Sequence, residues 1–316
     1  MNLLFRLCRH YATRSSSTVK KVANVSSNAV ENTGLSITND SRLLSFPLIV
    51  QDSNYTPILG HDRVAEVGLK RYPSVSTVMR ETQTPQQIFL LKRWREKKIA
   101  ELGSNEELQL YVQRIKSEGE RLHNCLRLFL SENISEKELP LPEEMKKLWN
   151  SFRPVLDRLS KVLAVETAVQ HKPLGYAGIA DCIAEIDGQV VLIDWKVSER
   201  KRATLAQTYD TPLQIIAYMG AVNAQYAWNE ARKRGEASKD EVSDQIFVPP
   251  APIVHGMAVI GYRDGSPAHV HVIDETISYE IWQKWLEKLD QFWTKKMQQS
   301  TPTPPPSQQQ ISHNPQ

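Results

Sequence analysis

The sequence predicts an α/β protein in which a central β-sheet is flanked by helices, with a helical extension ahead of the sheet. Three observations predict it. Gly178 to Lys196, GIADCIAEIDGQVVLIDWK, reads as a β-hairpin whose Asp187–Gly188 turn is flanked by β-branched and apolar residues. A helical apolar stripe stands before it, and segments of helical and strand character alternate after it.

The elements justify themselves in order. Lys92, Arg93, Arg95, Lys97 and Lys98, around Trp94, form a basic cluster on an N-terminal helix. Glu106 to Leu130 carries Leu108, Val112, Ile115, Leu122, Leu126 and Leu130 at helical spacing, with His123 beside the stripe. Lys161 to Val169 (KVLAVETAV) reads as an apolar strand with Glu166 as its one acid. The hairpin follows. Thr211 to Trp228 reads as a helix with Thr211 as N-cap and Pro212 at the first helical position. Within it Gln214 and Tyr218 stand one turn apart and share a face. Lys233 to Pro252 reads as a surface loop. Val254 to Tyr262 is a strand, an Asp264–Gly265 turn leads to another over Ala268 to Ile273, and Glu275 to Lys296 closes the fold as an amphipathic helix.

Candidate chemistry lies on the hairpin. Side chains alternate along a strand, so Asp194 and Lys196 point to one face while Ile193 and Trp195 point to the other. An Asp and a Lys two apart are common on solvated sheet faces, where they form weak surface pairs. Here they end the apolar run Val190 to Ile193, as in a strand buried on both faces, where a carboxylate and an ammonium are costly without a ligand or partner. Two acids and a lysine gathered at one place are the parts of a metal-dependent phosphodiester-cleaving centre. Glu166, Asp181 and Asp194 offer the hard oxygen ligands that Mg²⁺ or Mn²⁺ prefers, and Lys196 can neutralise phosphate charge or position the attacking water. A histidine beside an apolar stripe, like His123, is by itself more often structural than a ligand, and Gln214 with Tyr218 is by itself a polar helix face.

The order of these residues resembles the PD-(D/E)xK nuclease superfamily and its RecB-like exonuclease branch. His123 (in GERLH), Glu166, Asp181 (in GIAD), Asp194-x-Lys196 and Gln214-x-x-x-Tyr218 carry the resemblance; each is a weak sign alone, and their order is specific. A narrower pattern of the branch's mitochondrial members extends it over Tyr72 to Trp293, through YPSV, ETAVQHKPLGYAGIADCIA, DWK, TPLQIIAYMGA and YRDGSPAH. The resemblance implies a restriction-endonuclease-like core with a central mixed sheet. It also implies metal ligation by His123, Asp181, Asp194 and the Trp195 carbonyl, catalytic roles for Glu166, Asp181, Asp194 and Lys196, and products with a 5′-phosphate and a 3′-hydroxyl. A histidine ligand tilts the choice towards Mn²⁺, although Mg²⁺ is more abundant. Val197 stands where threonine is usual in the family. Gln214, Tyr218, Ser198, Arg200, Lys201 and Arg202 near the catalytic strand, with Lys92 and Arg93 further off, are the expected nucleic-acid contacts.

Composition sets the remaining expectations. The chain has 316 residues and a net charge of +3, so nucleic acid must be held by local patches rather than a global field. Cys8, Cys125 and Cys182 have no zinc or cluster spacing. No stretch approaches the ~20 apolar residues of a membrane span. The first acid is Glu31, and Arg6, Arg9, Arg14, Lys20, Lys21 and a serine-rich patch precede it, the composition of a mitochondrial transit peptide. The expected organisation is a transit peptide over residues 1–40 and a helical part roofing the site over 41–160. The nuclease core follows over 161–299 and a disordered Pro/Gln-rich tail over 300–316. The resemblance, together with this N-terminal composition, implies a single-stranded DNA exonuclease of the mitochondrial matrix that trims flaps and free ends. It would be a monomer, working beside the mitochondrial DNA replication machinery. A duplex endonuclease on the same core, and a nucleic-acid-binding protein with a weakened core, are the competing readings.

Overall fold

In the computed structural model, which describes residues 71–132, 134–235 and 247–300, Asp187 and Gly188 both adopt positive φ (51° and 78°). That is the backbone of a two-residue type I′ turn, and it matches the twist of the strands it joins. The strands are β2 (Tyr176–Ile186) and β3 (Gln189–Ser198), paired from Ile186↔Gln189 to Cys182↔Ile193. On one side β1 (Leu159–His171) pairs antiparallel with β2, and on the other β4 (His255–Tyr262) runs parallel to β3. β5 (His269–Ile273) returns antiparallel on β4. The result is the five-stranded mixed sheet β1-β2-β3-β4-β5. A parallel pair needs a crossover, here the helix α5 (Thr211–Lys233) between β3 and β4.

Before the sheet come α1 (Val75–Glu81), α2 (Pro85–Leu102), α3 (Asn105–Ser131) and α4 (Lys146–Leu156), and α6 (Glu275–Ser300) follows it. Their starts are chemically marked. Ser74 and Ser104 accept from the Thr77 and Glu107 amides, and Thr84 with Gln87 closes a capping box ahead of Pro85. α5 begins one residue earlier than expected: Asp210 is the cap residue and Thr211–Pro212 the first helical pair, after a bend at Tyr209 (φ 57°). It also runs past Trp228 to Lys233.

Alternation on β3 divides the core in two. Val191, Ile193, Trp195 and Val197 pack with Leu122, Cys125 and Leu126 of α3 and Leu148, Trp149 and Phe152 of α4. Leu192 packs on the other side with α5 and with Trp282, Trp285 and Trp293 of α6. Trp195 is 1% exposed and meets Phe152 edge to face at 5.8 Å. Burying such a ring removes about 150–250 Å² from water, worth roughly 4–6 kcal/mol as an upper bound. It fixes which face of β3 carries Asp194 and Lys196. No helix among the described residues is long and apolar enough to cross a membrane. The segment expected to be a transit peptide (1–40), residues 41–70, residues 236–246 of the expected loop and residues 301–316 of the expected tail lie outside the described residues.

Candidate active site

The site begins where two strands part. β2 and β3 pair only as far as Cys182↔Ile193; beyond that β3 keeps its ladder with β4 and β2 stays with β1. The Trp195 amide therefore loses its strand partner, and the Asp181 carboxylate accepts from it at 3.0 Å. In an extended strand a residue's N–H and C=O face the same neighbour, so the Trp195 carbonyl faces the same opening. The fork exposes one end of both strands to helices from both layers.

Asp181, Asp194, Lys196, Glu166 and His123 meet there. His123, on α3, shares a 2.9 Å hydrogen bond through Nδ1 with Glu166 Oε1 and stands 3.9 Å from Asp181 Oδ2. Metal-ligating atoms of His123, Glu166 and Asp181 all lie within 4.8 Å of one another. Beside this group, Lys196 Nζ lies 2.6 Å from Asp194 Oδ2; Asp194 is fully buried and its Oδ1 has no hydrogen-bond partner. Glu166 holds left-handed backbone at φ 46°, a conformation that costs a non-glycine residue about 1–3 kcal/mol and concentrates at functional sites.

The electrostatics are those of a place that wants a cation. Burial, followed by repulsion from Asp194, pushes the Asp181 carboxyl up to about 7. Burial opposes the His123 charge, but the Glu166 hydrogen bond and the Asp181 charge outweigh it and raise its pKa. Three carboxylates, one of them with an orphaned buried oxygen, and an imidazole fit a hard divalent ion.

Gln214 and Tyr218 come from α5 on the other side, with Gln214 Nε2 donating to Tyr218 Oη at 2.9 Å. Gly178 makes room for them: a Cβ there would lie 2.3 Å from Tyr218 Cε1. Both helices wall a cleft of about 920 Å³ that includes Glu166, Ile179, Trp195 and Lys196. The α3 wall runs from Val112 to Arg127, about 22 Å at 1.5 Å per residue.

The expected nucleic-acid contacts divide. Ser198 and Arg202 line a smaller cavity of about 50 Å³ that shares Lys196 and Gln214 with the cleft. Arg202 donates through Nε to Ser198 Oγ at 3.1 Å and stacks over Tyr209 at 5.1 Å. Lys201 pairs with Asp264 at 3.4 Å and lies over the Tyr262 ring at 4.0 Å, and Arg200 is exposed. Lys92 and Arg93 sit on the exposed face of α2, Lys92 beside Glu96 and Arg93 over Phe89, and line neither cavity. Sequence reasoning missed Lys116, Asn124 and Arg127, which line the cleft. Their signal was helical phase, since Lys116 and Arg127 stand two turns before and one turn after His123.

Comparisons with known proteins identify the family. A family model described as the PD-(D/E)XK nuclease superfamily matches residues 91–309. Three curated proteins named Mitochondrial genome maintenance exonuclease 1 are similar. The human protein is 36% identical over 232 residues, 73% of this chain and 61% of its own length. The mouse protein is 35% identical over 236 residues (73% and 62%), and that of Xenopus tropicalis 33% over 225 residues (71% and 58%). The chain spans about three fifths of the length of these relatives.

Proposed function

The chain belongs to the PD-(D/E)XK nuclease superfamily, and from that premise we propose that it is a divalent-metal-dependent DNA exonuclease of the mitochondrial matrix. Its substrates are single strands and flaps with free ends, met during mitochondrial DNA replication and maintenance. The carrying observation is the His123–Glu166–Asp181 group beside the buried Asp194–Lys196 pair, from which His123, Glu166 and Lys196 reach a cleft walled by α3. The relatives' names, which speak of mitochondrial genome maintenance and of an exonuclease, support the cellular setting.

His123, Glu166, Asp181, Asp194 and the Trp195 carbonyl would hold Mg²⁺ or Mn²⁺, which supplies charge neutralisation at the phosphoryl oxygen and acidifies a water. The remaining work falls to the chain. The Asp194 pair holds the Lys196 ammonium at the cleft floor before substrate arrives, so it meets the charge developing on the phosphate without reorganisation. The Gln214–Tyr218 pair presents polar atoms across from Lys196 and sets the strand's height above the acids. Ile179 is 54% exposed at the cleft wall, an apolar surface for a base or sugar. The α2 and α3 extension restricts entry, so a single strand threads by its end while a stiff duplex is refused. The chain acts as a monomer, with 1–40 as transit peptide, 41–160 as roof, 161–299 as core and 300–316 as tail.

End-labelled linear single strands, closed single-stranded circles and blunt duplexes, each with Mn²⁺, Mg²⁺ or EDTA, test the reading. Linear strands and flaps should be degraded with either metal, while circles and duplexes survive. Equal cutting of circles and linear strands would refute the exonuclease reading.

A further inference from the structure

We propose that Arg263 is a specificity-determining residue: it clamps α3 beside the cleft, and this clamp imposes the requirement for a free end. The inference rests on the exonuclease reading above and adds the device that enforces it.

The clamp joins three distant segments. Arg263 follows β4, Glu199 follows β3, and Glu118 and Tyr111 lie on α3. Arg263 Nε donates to Glu118 Oε1 and Oε2 at 2.8 and 2.9 Å, and Nη2 also donates to Glu118 Oε2. Nη1 donates to Glu199 Oε1 at 2.6 Å, and Tyr111 Oη donates to the same oxygen at 3.2 Å. A planar guanidinium that engages two carboxylates at once fixes direction as well as distance, which lysine cannot. Lys98 of α2 lies 4.4 Å over the Tyr111 ring and ties the second helix of the extension to the same point.

The placement gives the cluster its meaning. Glu118 and Tyr111, two turns apart, lie on a stripe bordering the one that lines the cleft. Within the cleft His123 reaches Glu166 of β1, so α3 is tied to the sheet at a second point. The two halves of α3 are held differently. Leu122, Cys125 and Leu126 of the second half belong to the core on the α4 side of the sheet. The buried residues of the first half, Leu108 and Ile115, belong to neither core. The link between the first half and the sheet is therefore mainly polar, and the Arg263 fork is its centre. In this proposal the clamp keeps the first half of α3 in the closed arrangement seen here, and releasing it lets that half swing to an open one. Only the open one admits a strand that has no end to thread.

The test uses the full chain with Mn²⁺, a labelled linear single strand and a closed circle of the same sequence. Hydrogen exchange of the α3 amides is measured on the same protein without DNA. Wild type should cut the linear strand and spare the circle. Arg263→Ala should keep linear cutting within a few-fold and raise circle cutting at least ~10-fold, as a shifted closed–open population gives. Exchange over residues 105–119 should rise while that over 122–131 stays slow. Arg263→Lys, which keeps the charge and loses the fork, should fall between. The proposal requires faster exchange and circle cutting together; either alone, neither, or loss of linear cutting overturns it. If Arg263→Ala does not fold, the double variant Glu118→Gln/Glu199→Gln carries the same expectations. Circle cutting by wild type would instead defeat the exonuclease reading before any variant is compared.

Discussion

Replacing Lys196 by methionine keeps the length of the side chain and removes its charge, leaving the Asp194 carboxylate buried with no cation beside it. Asp194 is 1% exposed as a side chain, its Oδ1 has no partner, and Lys196 is 15% exposed. Removing one member of a buried pair costs about 3–5 kcal/mol, because the other charge stays desolvated. The partial exposure of Lys196 argues for the lower end, about 3 kcal/mol. At roughly 2–4 °C per kcal/mol for a fold of this size, Lys196→Met should melt about 6–12 °C below wild type in EDTA. Saturating Mn²⁺ should narrow that gap, since a cation held by Asp194 replaces the lost compensation. Adding Asp194→Asn to make Lys196→Met/Asp194→Asn should also recover stability, as a neutral pair leaves no bare charge. Cleavage of a linear single strand, however, should drop about 10²–10³-fold and stay low with metal, because the role proposed for the ammonium is at the transition state. Thermal melts with and without Mn²⁺, read beside single-turnover cleavage, decide the matter. An unchanged melting temperature in EDTA would show that Lys196 does not compensate Asp194, and near-normal turnover would remove it from the chemistry.

Three further predictions follow from packing and burial. Gly178→Ala drives a Cβ to 2.3 Å from Tyr218 Cε1, so the ring must move by about 1 Å; we expect roughly 1–3 kcal/mol of destabilisation and about 10²-fold slower cleavage. The stability loss should vanish in a Tyr218→Leu background, whereas an unaltered melt in the single variant would refute the contact. Burial pushes His171 down to about 3, so the unfolded chain binds an extra proton between pH ~6.5 and ~3. Stability should be full above that window and fall by about 1.4 kcal/mol per pH unit as pH drops through it, less steeply in His171→Gln; equal pH slopes for the two would refute the assignment. No atom beyond the helix's own neighbouring backbone lies within 4 Å of a Cβ built on Gly119, inside α3 and on the cleft wall, so Gly119→Ala should stabilise by up to ~1 kcal/mol. Gly119→Phe should slow cleavage at an undiminished melting temperature by narrowing the cleft, and full activity would place the substrate elsewhere.

What could be read from the sequence and what could not differ in range. The Asp187–Gly188 turn was legible because only a few residue pairs tolerate positive φ twice in succession, and the hairpin brought Asp181 and Asp194 near each other by local register. The order of helices and strands followed from periodicity, and the burial of Trp195 from alternation. The gathering of His123, Glu166 and Asp181 rested on resemblance rather than on spacing, since His123 and Glu166 lie 43 residues apart. The left-handed backbone at Glu166 left no mark, because nothing in a glutamate announces φ 46°. The start of α5 was misplaced by one residue because a threonine before a proline is a good cap and the bend at Tyr209 is set by tertiary context. The basic run around Lys92 lies exposed on α2 and lines neither cavity, a placement set by how α2 packs and not by its local sequence. The clamp at Arg263 joins partners 145 and 64 residues away, beyond any local pattern.

The central claim is that the acids at the strand fork hold the cation that cleavage needs. Calorimetric titration of Mn²⁺ into wild type and Asp181→Asn, with single-strand cleavage measured across the same concentrations, tests it most directly. The account predicts that half-maximal cleavage coincides with half-saturation in wild type, and that Asp181→Asn, still folded, loses both binding and cleavage. Cleavage that persists in EDTA, or an Asp181→Asn protein that binds Mn²⁺ and cuts as wild type does, would contradict it.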